Sequence, residues 1–558
     1  MLVSILLIIY NLSIAFAAGV VFTRLLGKIC GVTPAVIHPS LYVIIGWGFI
    51  AMVLQLFHLF FPINLFAHAL VWMMILTLAS TQFKNLAKEM VASLHQISSK
   101  KHIAIGLSFL VLVVLNILSR KADGDIGDYH LQAIRWMEEY AAVPGIGNIR
   151  RQLGNNSNWF LLQAFSGFHF LGLRSVYTIN AALVIMVALY VTPHLNQHFW
   201  LRNLLLLFYF AIIATRKYTG AVTNDLVITS GIVMLFCWFT DVVNNHNKKT
   251  IELLLMILLT MVLITFKLSA LPMLLFAIGV FYYSYKQQLI GRRIIFTLLG
   301  FGLIIFIPWL ITNVIHSGYL LFPISNSNFF DVDWKMRPEI VDYEVYANLA
   351  YARAPTVDIE VARYFTFVQW WPHWIKSIDI FSAVLLFGGC FFYITLLVQF
   401  IVNKRFRKQF AENYYWIIAI TCLVALALWF THGPTPRFVF GYLVFTITMG
   451  VNLFHRTTLQ QLLYKNKFTL VGIFLLGLIT MSVQKQLIGN GFKNTLMIPP
   501  SYLQPQVNKF VVSGGTLNVP ISNQQCWDSK LPCTNLPDSG LQYRGTTLKQ
   551  GFRIKTQP

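Results

Sequence analysis

Apolar stretches of about 17–25 residues recur along most of this chain, each long enough to cross a hydrocarbon core of about 30 Å as a helix. The first reads MLVSILLIIYNLSIAFAAGVVF. Such repetition leaves few folds open, because backbone polar groups inside lipid must bond within helices or closed barrels. A barrel would show alternating segments of about ten residues, and these are absent. Charged residues make up 11% of the chain, against about 25% in soluble domains. The pattern therefore predicts an all-α polytopic membrane protein with about 14 transmembrane helices. The first run lacks a basic leader and no soluble domain follows it, so it reads as a retained helix. The shorter, Gly-interrupted stretch SNWFLLQAFSGFHFLG (157–172) reads as an interfacial helix.

Orientation follows from the basic residues of the short loops. FKNLAKEM…SSKKH, NNHNKK, KQQLIGRR, NKRFRKQF and HRTTLQQLLYKNKF alternate onto one side, which is then cytoplasmic. The other side receives three long segments, 120–175, 313–378 and 485–558. Of the 20 acidic residues, all but Glu89, Asp241, Glu252 and Glu412 fall on that outer side, although the rule never used them. The net charge of +22 is scattered among short loops, which fits topology and anionic lipid headgroups rather than nucleic acid. On the outer tail, Cys526 and Cys533 in CWDSKLPC suit a disulfide in an oxidising compartment. A zinc pair is the alternative, but no second ligand pair of matching spacing exists. Cys30, Cys237, Cys390 and Cys422 lie in or beside apolar spans, where a thiol is a small core residue.

The acids concentrate most sharply in SRKADGDIGDYHLQAIRW, residues 119–136, where Asp123, Asp125 and Asp128 precede Tyr129 and His130. They sit where a helix leaves the membrane, not within hydrocarbon, where a charge costs several kcal/mol. Plain solvated loop residues are one reading. The other is a general base at the membrane surface, with Gly124 and Gly127 letting the backbone fold tightly around whatever the carboxylates face.

GDIGDYH resembles the first extracytoplasmic loop of GT-C-type integral-membrane glycosyltransferases. In the protein mannosyltransferase and aminoarabinose transferase branches that loop begins Asp-Glu-x-x-Tyr; Asp125 and Tyr129 match, and Ile126 replaces the Glu. The longer stretch DYHLQAIRWMEEYAAVPGIGNIRRQLGNNSNWF is similar to a bacterial family of GT-C-like membrane proteins, with Asp128 replacing a Leu. TNVIHSGYLLFPIS, TNDLVITS, GPTPRFVFGY and the tail CWDSKLPC…LQYRG…GF extend the resemblance over roughly residues 103–558, with Leu320 in place of a Pro. The resemblance implies a GT-C-like seven-helix module at 103–312 whose first outer loop (120–175) is catalytic. Around it stand a three-helix N-terminal addition with a cytoplasmic stretch (1–102), a loop or lid (313–378), a four-helix region (379–484) and a small extracytoplasmic tail (485–558).

What the resemblance implies chemically is an inverting sugar transfer, in the plasma membrane of a bacterium, on the extracytoplasmic face. The donor would be a polyprenyl-phosphate-linked sugar, and the acceptor a glycan, lipid or protein. The acceptor hydroxyl must lose a proton, and Asp125 is the expected base, with Asp128 and Asp123 as alternates. DGD also has the spacing of a metal-binding Asp-x-Asp, so a divalent metal is an option; no other cofactor is expected. Arg437 reads as an interfacial anchor or a clamp on the leaving phosphate. Arg216 and Lys217, on the outer side against the charge trend, are second candidates, and Lys267 either joins them or snorkels. His130 orients Asp125, binds acceptor or merely packs, and Tyr129 stands beside it in the binding loop. Asp225 binds sugar, supports the first loop, or simply caps its helix. The string YFTFVQWWPHWIKS (364–377) reads as an interfacial belt or a stacking surface for sugars, and the loop before it is long enough to be a lid.

Two other classes compete. A polysaccharide polymerase or ligase would lead with arginines rather than an Asp. A lipid-linked sugar flippase or transporter would carry inverted repeats and mid-membrane charges, and neither is evident. A transferase requires one cavity joining Asp125, Asp225 and Arg437, open sideways to lipid.

Overall fold

The computed structural model describes residues 1–80, 83–119, 124–172, 174–197, 199–244, 249–451, 458–489, 498–521 and 525–555. Among them helix dominates, and nine helices are long and apolar enough to cross a membrane, from Leu2–Cys30 to Gln460–Leu487. Leu65–Ser80, Trp200–Ala214 and Thr250–Phe266 are shorter apolar helices. Two apolar stretches give helices shorter still than the expected length of about 17–25 residues: Met273–Lys286, and an 11-residue helix, Phe440–Gly450. At 1.5 Å per residue, the latter reaches only about half of a hydrocarbon core.

Leu2–Cys30 and Pro39–His58 cross backbone to backbone. A Cβ on Gly19 would lie 1.8 Å from the carbonyl oxygen of Tyr42, and one on Gly46 would lie 1.7 Å from that of Ala15. Small residues four apart permit this approach, which replaces a hydrophobic drive that lipid cannot supply. The pair packs on Asn158–Gly167, Ile179–Val191, Thr250–Phe266 and Arg292–Ser317, so the N-terminal helices are part of the core.

All ten residues of Asn158–Gly167 are buried, so this segment is a core plug and not an interfacial helix. Its polar side-chain groups explain the difference, because they bond other helices: Asn158 donates to Gln55 at 2.5 Å and the Trp159 indole to Asn180 at 3.0 Å. Hydropathy alone does not separate a short core helix from a surface one.

Segment 313–378 folds into Pro338–Arg353, Ile359–Ala362 and Phe367–Ser377. The tail forms two antiparallel pairs, Val507–Val512 with Gly515–Pro520 and Leu541–Tyr543 with Phe552–Ile554.

Candidate functional site

Asp125 stands just before a π-helical turn, Ile126–His130, which runs into the helix Leu131–Glu139. Such wide turns re-aim side chains and are frequent at functional sites. Arg437 lies 312 positions later, on the 3-10 turn Pro436–Val439. Prolines on both sides of Thr435 leave that turn short of N–H donors, and indoles secure its carbonyls instead. Trp374 Nε1 donates to Pro434 O at 2.7 Å, and Trp429 Nε1 to Thr435 O at 2.8 Å. The aromatic helix Phe367–Ser377 thus braces Arg437 from behind, burying Trp370 and Trp374 while Phe367 and Val368 stay exposed.

Four charges then line up with alternating sign. Arg437 Nη2 donates to Asp125 Oδ2 at 2.6 Å, and its Nε lies 3.3 Å from Asp225 Oδ2. The other oxygen of Asp225 accepts from Lys267 Nζ, which also lies 4.3 Å over the ring of Phe438. Lys267 therefore turns onto a carboxylate. Asp225 is no simple cap either: Thr223 Oγ1 accepts from the Asp225 N–H at 3.3 Å, and the carboxylate faces the two cations.

All four line one cavity of about 340 Å³. Asp128, Tyr129 and His130 line it as well, as do the amides of Gln152, Asn155, Asn156, Asn224, Asn313 and Asn348. Glu344, Asn348 and Tyr351 bring the helix Pro338–Arg353 over it, as a lid would. Gln152 Oε1, Asn156 Oδ1, His130 Nδ1 and Trp309 Nε1 are buried and find no partner among the described residues. A wall of unspent donors and acceptors suits a neutral, many-hydroxyl ligand.

The electrostatics sort the titrating groups. Burial opposes ionisation of Asp125, but the guanidinium of Arg437 outweighs it and holds the carboxyl below its usual range. Asp125 is therefore a carboxylate at neutral pH. Burial pulls His130 down to about 4, so the ring is neutral, packed between Tyr129 and Phe160. Burial also raises Glu344, against the pull of Arg151.

Asp128 is held by Arg150, whose Nη2 reaches both carboxylate oxygens at 2.5 and 2.6 Å. Arg216 and Lys217 are not among the lining residues: Arg216 lies 3.7 Å from Asp379 and stacks on Phe381, and Lys217 lies 6.0 Å from the ring of Tyr218. Asp123 lies outside the described residues. Among those described, no group of three His, Cys, Asp or Glu side chains is placed to hold a metal.

Comparison with family models gives a match to a domain of unknown function, DUF8201, over residues 1–444. The chain belongs to the DUF8201 family. No curated protein and no solved structure matches it. The DUF8201 match includes the N-terminal helices and every charge of the four-member array, and it ends before the tail.

In this DUF8201 chain the tail nevertheless covers the first loop. Cys526 and Cys533 form a disulfide, and Trp527 between them donates its N–H to Gly127 O at 2.8 Å. A Cβ on Gly127 would sit 2.3 Å from the indole of Trp527, so this position admits only glycine without displacement. Gln132 donates to Trp527 O and Ser529 O at 3.0 and 2.9 Å, and Arg135 pairs with Asp528. Trp527 and most of the cavity amides lie within the motifs quoted above, but nothing in the sequence gives them a role, and Glu344 and Asn348 lie outside those motifs. Arg150 and Arg151, however, carry the same signal as Arg216 and Lys217, adjacent basic residues on the side that the charge rule expects to be outer.

Proposed function

We propose that this chain is a GT-C-type membrane glycosyltransferase, with about fourteen membrane helices, in the plasma membrane of a bacterium. It moves a sugar from a polyprenyl-phosphate donor to an acceptor on the extracytoplasmic face. The observation that carries the reading is the single cavity joining Asp125, Asp225, Lys267 and Arg437 with a wall of amides. The amides and the Trp309 indole suit sugar hydroxyls, and the two cations suit a phosphate at headgroup depth.

In the transfer, the acceptor hydroxyl oxygen attacks the anomeric carbon as its proton passes to Asp125. The bond from that carbon to the phosphate oxygen breaks, and the electron pair leaves with the lipid phosphate. Asp125 paired to Arg437 is ionised but weakly basic. A donor phosphate that draws Arg437 away would restore its basicity as the reaction begins. Asp225 and Lys267 keep Arg437 placed between the two carboxylates.

The test is transfer by the detergent-purified chain from a panel of polyprenyl-phosphate sugars, with Asp125→Asn as the control. Full activity in that variant removes Asp125 as the base. No turnover with any lipid-linked donor reopens the transport reading.

A further inference from the structure

Beside the main cavity lies a second, of about 240 Å³, walled by Gly147–Gln152, by the start of the lid helix, and by Leu536, Asp538 and Ile554 of the tail. The two are neighbours, because Gln152 lines both. The partition between them is built of ion pairs, and the pairs point the same way. Asp128 is held by Arg150, and Glu344 by Arg151 at 2.5 Å. Asp128 and Glu344 line the main cavity, whereas Arg150 and Arg151 line the second.

This polarised wall gives the two chambers opposite character. The second carries Arg150, Arg151 and Arg337 against Asp538. Arg150 is 9% exposed and spends one terminal nitrogen on Asp128; its Nε and Nη1 find no partner among the described residues. Unspent guanidinium donors at this depth are costly unless an anion takes them. A volume below the roughly 300–1,000 Å³ of drug-sized pockets suits one sugar ring or one phosphate.

We infer that the second cavity is an anion-recognising subsite for the acceptor, binding a phosphate or carboxylate on its water-soluble part. The assignment to an acceptor rests on the transferase reading. Among its lining residues none comes from a candidate membrane span, whereas the main cavity takes Asp225, Trp309, Asn313 and His432 from such helices. A lipid-borne donor would enter by the latter. A hydrophilic acceptor anchored at Arg150 and Arg337 would reach past Gln152 toward Asp125.

The experiment is calorimetric titration of the full chain in detergent with inorganic phosphate, glucuronate and glucose. Phosphate and glucuronate are expected to bind, and glucose about tenfold or more weaker, since it lacks the charge that a guanidinium recognises. Arg337→Ala removes a half-exposed side chain paired at 3.0 Å with Asp538, so the fold should tolerate it. It and Arg150→Lys are each expected to weaken both anions about tenfold. Equal binding of glucose and glucuronate overturns the subsite, as does anion binding unchanged in both arginine variants. Anion binding through Arg337 in a chain with no transferase activity keeps the site but removes its assignment to an acceptor.

Discussion

Two networks of opposite charge lie deep in this molecule, and they differ in what they leave unused. At one end Arg202, 1% exposed, gives Nε to Asn203 at 3.2 Å, Nη1 to Thr240 at 2.6 Å and Nη2 to Asp241 at 3.0 Å. Tyr190 donates to the second oxygen of Asp241 at 2.9 Å. Every nitrogen of that guanidinium is engaged. At the other end Asp125, Arg437, Asp225 and Lys267 face a cavity whose wall holds unspent donors and acceptors. Buried charge alone does not mark a site, since structural ion pairs are buried as well. Unspent bonding capacity around a cavity is the better mark.

Breaking the contrast takes one variant in each network. Asp125→Asn is expected to lower transfer about a hundredfold or more with the melting temperature held, by radiolabelled-sugar assay and thermal denaturation. Arg202→Met should do the reverse, costing about 3–5 kcal/mol by stranding Asp241 while the folded fraction keeps its specific activity. A loss of activity from Arg202→Met at full stability would erase the distinction.

Subtler tests use pH. Because Arg437 holds the Asp125 carboxyl below its usual range, the ionised form persists as pH falls. The acid limb of kcat/KM should therefore lie below about pH 4. In Arg437→Gln the burial remains without the opposing charge, so the limb should move up by about a unit or more. A limb that stays put excludes Asp125 as the titrating base. The smallest effect concerns Glu138, beneath the tail, which burial pushes up to about 7 against the pull of Arg135. Its raised folded value means stability is fully present below the unfolded glutamate range and falls as pH rises toward 7. Glu138→Gln, keeping the acceptor for Tyr177 (3.0 Å), should flatten the melting temperature between pH 5 and 8.

Much of the site was legible because charge is scarce here. Asp125, Asp225, Lys267 and Arg437 stood out at the mouths of apolar runs, and all four line the cavity. Arg216 offered the same signal yet pairs with Asp379 elsewhere, since loop position fixes the depth of a residue but not its bearing around the bundle. The amides were hidden because Asn and Gln are ordinary loop residues; only the fold gathers positions 152 to 348 onto one wall. Helix positions followed from hydropathy. Lengths did not, as Phe440–Gly450 and the buried Asn158–Gly167 show, because neighbouring helices rather than lipid cover them.

The contact between Trp527 and Gly127 joins positions 400 residues apart, and that distance sets an order of assembly. A chain made from its N-terminus presents the acidic loop first and bare. Its counter-charge, Arg437, arrives 312 positions later, and its cover only once Trp527 and an oxidised cysteine pair have been made. Whatever the cavity does, it begins to do only after all three are in place.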